Sequence, residues 1–113
     1  METDETPVYD LAYQPRAARD LDEIFAYIAN ELHVPDIAIN LIDKVEQACV
    51  SLLRFPYRAP KLSKHDLVQF GYRMLTVDNF IIFFLVDEPN RLVRIERVVY
   101  NRRNITVADL LET

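Results

Sequence analysis

The chain has 113 residues, half of them hydrophobic, with six prolines, one glycine and one cysteine. That length and apolar content suit one folded domain and exclude wholesale disorder, and the lone Cys49 excludes an intrachain disulfide. Net charge is −5, from 13 basic and 18 acidic side chains, which speaks against a general nucleic-acid binder.

The charges are not spread evenly. Residues 1–53 hold 3 basic and 11 acidic side chains and residues 54–103 hold 10 and 5, so the two stretches carry −8 and +5. Such asymmetry can mark a molecule with one anion-attracting surface. The start, METDETP, has neither the basic nor the apolar region of a signal peptide and is expected to be a disordered tail over residues 1–7. The longest apolar run, Phe80 to Val86, is strand-sized and far short of the ~20 residues that span a bilayer. A single domain over residues 1–113, cytoplasmic and not associated with a membrane, is expected.

Val8 to Tyr13 alternates like a short strand. Pro15 suits the first turn of a helix, where its missing N–H is harmless. Ala17, Leu21, Ile24, Phe25, Ile28 and Leu32 then recur at helical spacing. His33-Val34-Pro35 ends that helix and Pro35 can open another, whose stripe is Ala38, Leu41, Val45, Ala48 and Leu52, widened by Ile42 and Cys49. So short a connection packs the two helices roughly antiparallel. Phe55-Pro56 closes the second helix, and a basic connection runs from Tyr57 to Asp66.

Three strands follow. Phe70 to Val77 holds the first, and Asp78-Asn79 supplies turn residues. Phe80 to Val86 is apolar throughout, as a strand buried on both faces would be. Asp87 to Asn90 is a second turn before Leu92 to Tyr100. The order β-α-α-β-β-β predicts a two-layer α+β domain, with an antiparallel helix hairpin on one face of an antiparallel sheet that the N-terminal strand joins. Leu21, Ile24, Phe25, Ile28, Leu41, Val45, Phe83 and Leu85 are the expected core.

Familiar catalytic chemistry finds little support. His33 and His65 are far apart and no Cys/His cluster has ligand spacing, so no metal is expected. One glycine, Gly71, excludes a Gly-rich phosphate loop, and no cofactor is expected. Cys49 lies on an apolar stripe and reads as a core thiol. The unusual stretch is RIERVVYNRRN, Arg94 to Asn104. Val93, Ile95, Arg97 and Val99 share a strand face, which puts a guanidinium among aliphatic residues, with Tyr100, Arg102 and Arg103 close behind. A bulge or the twist at the strand end is expected to bring Arg97 to the open face beside Tyr100 and Arg103. The structural alternative is an ion pair between Arg97 and an acid such as Glu96 or Asp10.

Three stretches carry a resemblance to a known family: YQPRAARDLDEIFAYI on the first helix, YRMLTVDNFIIFFLVDE across the next two strands, and IERVVYNRRN at the end. Their order resembles the RelE/ParE superfamily of toxins from bacterial type II toxin–antitoxin modules, from about Tyr13 to Asn104. The ParE-like branch often shows Ile-x-Arg-Val-x-His-x-x-Arg-Asp at the last position. Ile95, Arg97, Val98 and Arg103 match it, Tyr100 stands where His is frequent, and Asn104 replaces Asp.

The resemblance implies growth inhibition, a role in plasmid stabilisation, and neutralisation by a cognate antitoxin. Two activities are known within the superfamily. ParE-like members poison DNA gyrase by binding it. RelE-like members are mRNA interferases that cut messenger RNA in the ribosome, with basic residues on the open face of the sheet and a Tyr or His near the C-terminus. Such cleavage needs arginines to stabilise the charge developing on phosphate and groups to move the protons. Here Arg73, Arg97 and Tyr100 are the candidates for that chemistry. As a binding surface, Arg73, Arg97, Tyr100, Arg102 and Arg103 are joined by Lys61 and Lys64. The chain departs from the nuclease pattern: Phe80, Ile81 and Ile82 stand where a third-strand Arg is expected, and Arg73 is alone where paired lysines are usual. A gyrase-binding toxin is therefore the first expectation and an mRNA endonuclease the alternative. An inactive member that only binds antitoxin is the third.

Overall fold

The structure, a computed structural model, describes residues 8–61 and 71–101. The expected tail at 1–7, and Lys64, Arg102 and Arg103, lie outside the described residues. The elements run β1 (Asp10–Tyr13), α1 (Pro15–Ala26), a π-helical turn (Tyr27–Glu31), α2 (Pro35–Ser51), a short 3-10 turn (Pro56–Arg58), β2 (Arg73–Val77), β3 (Phe80–Asp87) and β4 (Leu92–Tyr100). This is the expected order. The strand order across the sheet is β1-β4-β3-β2.

The three C-terminal strands form the expected antiparallel meander. β1 joins it in parallel, with Asp10 opposite Leu92 and Tyr13 opposite Ile95, so the sheet is mixed. The sequence between β1 and β4 contains the whole helix hairpin and two strands, ample length for a crossover connection that parallel pairing requires.

Both helices start on proline at the first turn, which pre-sets φ and loses no hydrogen bond there. In α2, Ala38, Leu41, Val45 and Cys49 recur at three- and four-residue spacing and are buried, so one continuous stripe meets the sheet. α1 ends differently. At Tyr27 it widens into a π turn, where Leu32 N–H reaches back to Tyr27 O at 3.1 Å, and His33 leaves the helical path at φ 59°. The two-residue turn between β2 and β3 has Asp78 at φ 51°, a left-handed geometry that Asp tolerates because its short side chain can bond locally.

The main core lies between the helix pair and the sheet. Ile28, Leu41, Val45, Leu52, Ile82, Phe84, Val93, Ile95 and Val98 are among its buried members, and Leu21 and Ile24 pack against it half-buried. A second buried cluster of Tyr72, Ile81 and Phe83 forms apart from it, with Met74, Leu85 and Val99 beside them. Alternation along β3 separates the sets: Ile82 and Phe84 look toward the helices, Ile81, Phe83 and Leu85 to the other face. Phe83 and Leu85 are thus core-forming, but on the face away from the helices. Phe25 departs from the expected core: it is 38 % exposed, in a surface hollow that it shares with Leu21, Ile42 and Glu46 rather than against the sheet. Among the described residues, no helix is long and apolar enough to cross a membrane.

Candidate functional site

β1 accompanies β4 only as far as Ile95. Past that point the chain leaves β1 through Gln14, whose N–H donates to Ile95 O at 2.9 Å, and α1 begins. The next stretch of β4 is therefore met by a helix rather than a strand. Asp20 sits on the inward stripe of α1, three residues after Ala17 and four before Ile24. Its Oδ2 accepts the Val98 N–H at 3.0 Å, as a neighbouring strand would.

The same carboxylate answers the question of Arg97. Arg97 Nε donates to Asp20 Oδ2 at 2.7 Å and Nη2 to Oδ1 at 3.0 Å, a bidentate pair in which both side chains are nearly inaccessible, 7 % and 5 % exposed. Arg16, one helical turn before Asp20, adds Nη1 at 3.2 Å from Oδ1 and reaches Glu23 at 3.4 Å. Arg97 therefore does not reach the open face. The expected bulge is present: Phe83 pairs with Arg97 and Phe84 with Ile95, leaving Glu96 as the extra residue. Beyond it Arg97 and Val98 both serve the helix side, one through Asp20 and one through the core. A buried guanidinium is tolerated because a buried carboxylate meets it with matched geometry. Among the described residues, no buried side-chain nitrogen or oxygen lacks a hydrogen-bond partner.

Above this ion pair opens a groove of ≈ 620 Å³. One wall is α1 and the π turn, through Ile24, Tyr27, Ile28 and Leu32; the other is Asn79, Phe80 and the end of β4 from Arg97 to Tyr100. Arg16 and Glu23 also line it. Tyr27, Leu32 and Tyr100 are 57 %, 51 % and 60 % exposed, so the groove offers apolar surface around a charged floor. Tyr100 is steadied by an edge-to-face contact with Phe80, ring centres 5.7 Å apart. The π turn widens the helix at this wall, a distortion often found where helices serve a site.

Of the residues singled out in the sequence, Arg97 and Tyr100 share this groove. Arg73 does not. It aligns with Phe84 while Tyr100 aligns with Phe80, four residues along β3, or roughly 13 Å. Its Nη1 donates to Ala59 O at 2.7 Å and its guanidinium lies 4.8 Å from the Tyr57 ring centre. Lys61 is exposed and forms a backbone bridge with Arg73. No group of His, Cys, Asp and Glu fit to hold a metal occurs among the described residues.

A second polar cluster was not legible in the sequence. At the turn between β3 and β4, Glu88 Oε2 accepts hydrogen bonds from Tyr9 and Tyr57, while its Oε1 takes Arg91 Nη1 at 3.0 Å. Arg91 also stacks over the Tyr9 ring at 4.3 Å. The bonds from Tyr57 and then Tyr9 hold the Glu88 carboxyl below its ordinary pKa, and the same bond raises that of the Tyr57 phenol. These residues come from three distant parts of the chain, and no spacing connects them.

Comparison with known proteins agrees with this architecture. The model of the family described as ParE toxin of type II toxin-antitoxin system, parDE, matches residues 11–105. No curated protein matches the chain. The chromosomal ParDE toxin–antitoxin system of P. aeruginosa contains a similar structure, with TM-score 0.69 and 22 % identity, covering 84 % of this chain and 98 % of that one. The RelBE2 toxin–antitoxin complex of Mycobacterium tuberculosis is similar at TM-score 0.59 and 23 % identity, over 88 % and 98 %. The intact E. coli RelBE complex follows at TM-score 0.53 and 13 % identity, over 84 % and 99 %.

Proposed function

The chain belongs to the ParE toxin family of type II toxin–antitoxin systems, and from that premise we propose that it inhibits growth by binding DNA gyrase rather than by cutting RNA. The observation that carries this reading is the face of the sheet turned away from the helices. The resemblance to the RelE/ParE superfamily implies basic residues on that face in its ribonuclease members. Here the face carries Tyr72, Ile81 and Phe83, all buried, with Met74, Leu85 and Val99. Arg94, aligned with Leu85, is tied to Glu96 at 2.6 Å. Phosphoryl chemistry needs cations aimed at the charge that develops. The arginines nearest to that role are committed elsewhere, Arg73 to main-chain carbonyls and Arg97 to Asp20.

A cognate antitoxin would occupy the groove over Arg97. The similar ParDE and RelBE structures are toxin–antitoxin assemblies, and the groove offers what a segment that folds on binding needs: apolar walls at Tyr27, Leu32 and Tyr100 with charge at Arg16 and Glu23. The reaction supported is thus association in two directions, with gyrase as target and with antitoxin as brake.

Expression of the wild type, with and without the adjacent small gene, followed by gyrase supercoiling and transcript-end mapping, tests the proposal. Growth arrest relieved by the small gene, inhibited supercoiling and intact transcripts are expected. Cleavage within translated codons would establish the mRNA interferase instead. A chain harmless when expressed alone would be an inactive antitoxin-binding module.

A further inference from the structure

Residues 54–61, Arg-Phe-Pro-Tyr-Arg-Ala-Pro-Lys, hold three cations and no carboxylate. The loop lies with the Glu88 turn, at the far end of β3 from the groove residues Asn79 and Phe80. The eight residues of β3 put roughly 25 Å between the two ends. The loop is tied down along its length. Tyr57 donates to Glu88, Arg73 bonds Ala59 O at 2.7 Å, Met74 N–H bonds Pro60 O at 3.1 Å, and Arg58 Nη2 bonds Ser51 Oγ at 2.6 Å. Pro56 is buried and fixes the backbone beside it. On this anchored frame Phe55 is 66 % exposed, more than any other large hydrophobic side chain among the described residues, and Tyr57 is 48 % exposed.

A free surface phenylalanine has no stability reason to be held outward by a framework of this kind. Aromatic rings and arginines on a pre-ordered loop are the composition of binding hot spots, because such a loop loses little entropy on docking. We infer that the loop Arg54–Lys61 is a second docking surface, by which the toxin engages its protein target: Phe55 enters an apolar pocket, and Arg54, Arg58 and Lys61 meet an acidic rim around it. This rests on the binding-toxin function proposed above and adds where the target is met. A polyphosphate is the poorer fit. The chain carries −5 overall, Glu88 and Arg91 are already paired at this end, and Asp10, whose N–H bonds Arg91 O, adds a further carboxylate. An apolar ring between cations instead matches a protein pocket with carboxylates at its edge.

The test uses the full chain, its antitoxin and purified gyrase, with Phe55→Ser and the pair Arg54→Glu/Arg58→Glu. Each variant is to be checked for folding by its thermal midpoint. The expected result is lost growth inhibition and at least a ~10-fold higher dose for gyrase inhibition, while antitoxin affinity stays at the wild-type value. Undiminished toxicity in the folded variants overturns the inference, and so does a parallel fall in antitoxin affinity, which would make the loop part of the antitoxin interface. Binding of a short DNA duplex or single strand that the variants lose also overturns it, in favour of a nucleic-acid partner. If the wild type arrests growth without touching supercoiling, gyrase is the wrong target, and the growth readout of the variants still decides whether this loop meets the true one. A harmless wild type sinks both proposals.

Discussion

Two arginine–carboxylate pairs mark the two ends of this sheet. Arg97 and Asp20 meet at 2.7 Å and are 7 % and 5 % exposed. Arg91 and Glu88 meet at 3.0 Å and are 51 % and 45 % exposed. Their bond lengths hardly differ, yet their physics does. At the first, both side chains are largely stripped of water, so the charges are stabilised by each other and, for Asp20, by Arg16 and the Val98 N–H. At the second, solvent and salt screen the pair, and two tyrosine hydroxyls share the same carboxylate. Burial, more than distance, decides what each pair contributes. The buried pair fixes the floor of the groove, and the exposed one arranges a surface.

The strongest way to break the comparison is to remove one member from each pair. Arg97→Ala leaves Asp20 charged and buried and should cost about 3–5 kcal/mol in urea denaturation. Arg91→Ala should leave the denaturation midpoint within error of the wild type. Replacing both buried ions together, Asp20→Leu with Arg97→Met, should recover part of the loss, because the pair's two charges go together while the Val98 N–H loses its acceptor. Equal effects of the two single substitutions would refute the distinction.

Apolar packing provides a second contrast, of similar or slightly smaller size. Leu52 is fully buried, and Leu52→Ala should cost about 2–5 kcal/mol. Phe25, although the larger side chain, is 38 % exposed, so Phe25→Ala should cost clearly less in the same experiment.

The pH limbs sharpen the comparison further. Burial pushes the Cys49 thiol up from 9.0 to about 11, against a hydrogen bond from Tyr13 that lowers it. A raised folded pKa means that the contribution is whole below the unfolded value and is lost as pH rises through 11. Stability should therefore fall between about pH 9 and 11, and Cys49→Ala should flatten that part of the curve. The smallest effect is expected at Glu88, whose carboxyl is held below its ordinary 4.5 by Tyr57 and Tyr9. Its contribution is present above that value and fades as pH falls through the lower folded one. Glu88→Gln should remove a shallow acid-side decline while leaving neutral-pH stability nearly unchanged.

What the sequence alone determined is the part that local periodicity encodes. Three- and four-residue spacing set the stripes of both helices, Pro15 and Pro35 set their starts, and the uninterrupted apolar run from Phe80 to Val86 announced a strand buried on both faces. The ordered motifs carried the family. Even the partner of Arg97 left a trace, since Asp20 falls on the inward stripe of α1, where an acid is out of place unless something answers it. Only the tertiary structure decided the rest. The parallel seat of β1 beside β4, the bond from Arg97 to a carboxylate 77 positions away, and the meeting of Tyr9 with Glu88 across 79 positions belong to no local pattern. Spacing along a chain reports which residues share a face. Which faces meet, and which charges are thereby stripped of water, follows from how whole elements pack, and that is a property of the folded molecule.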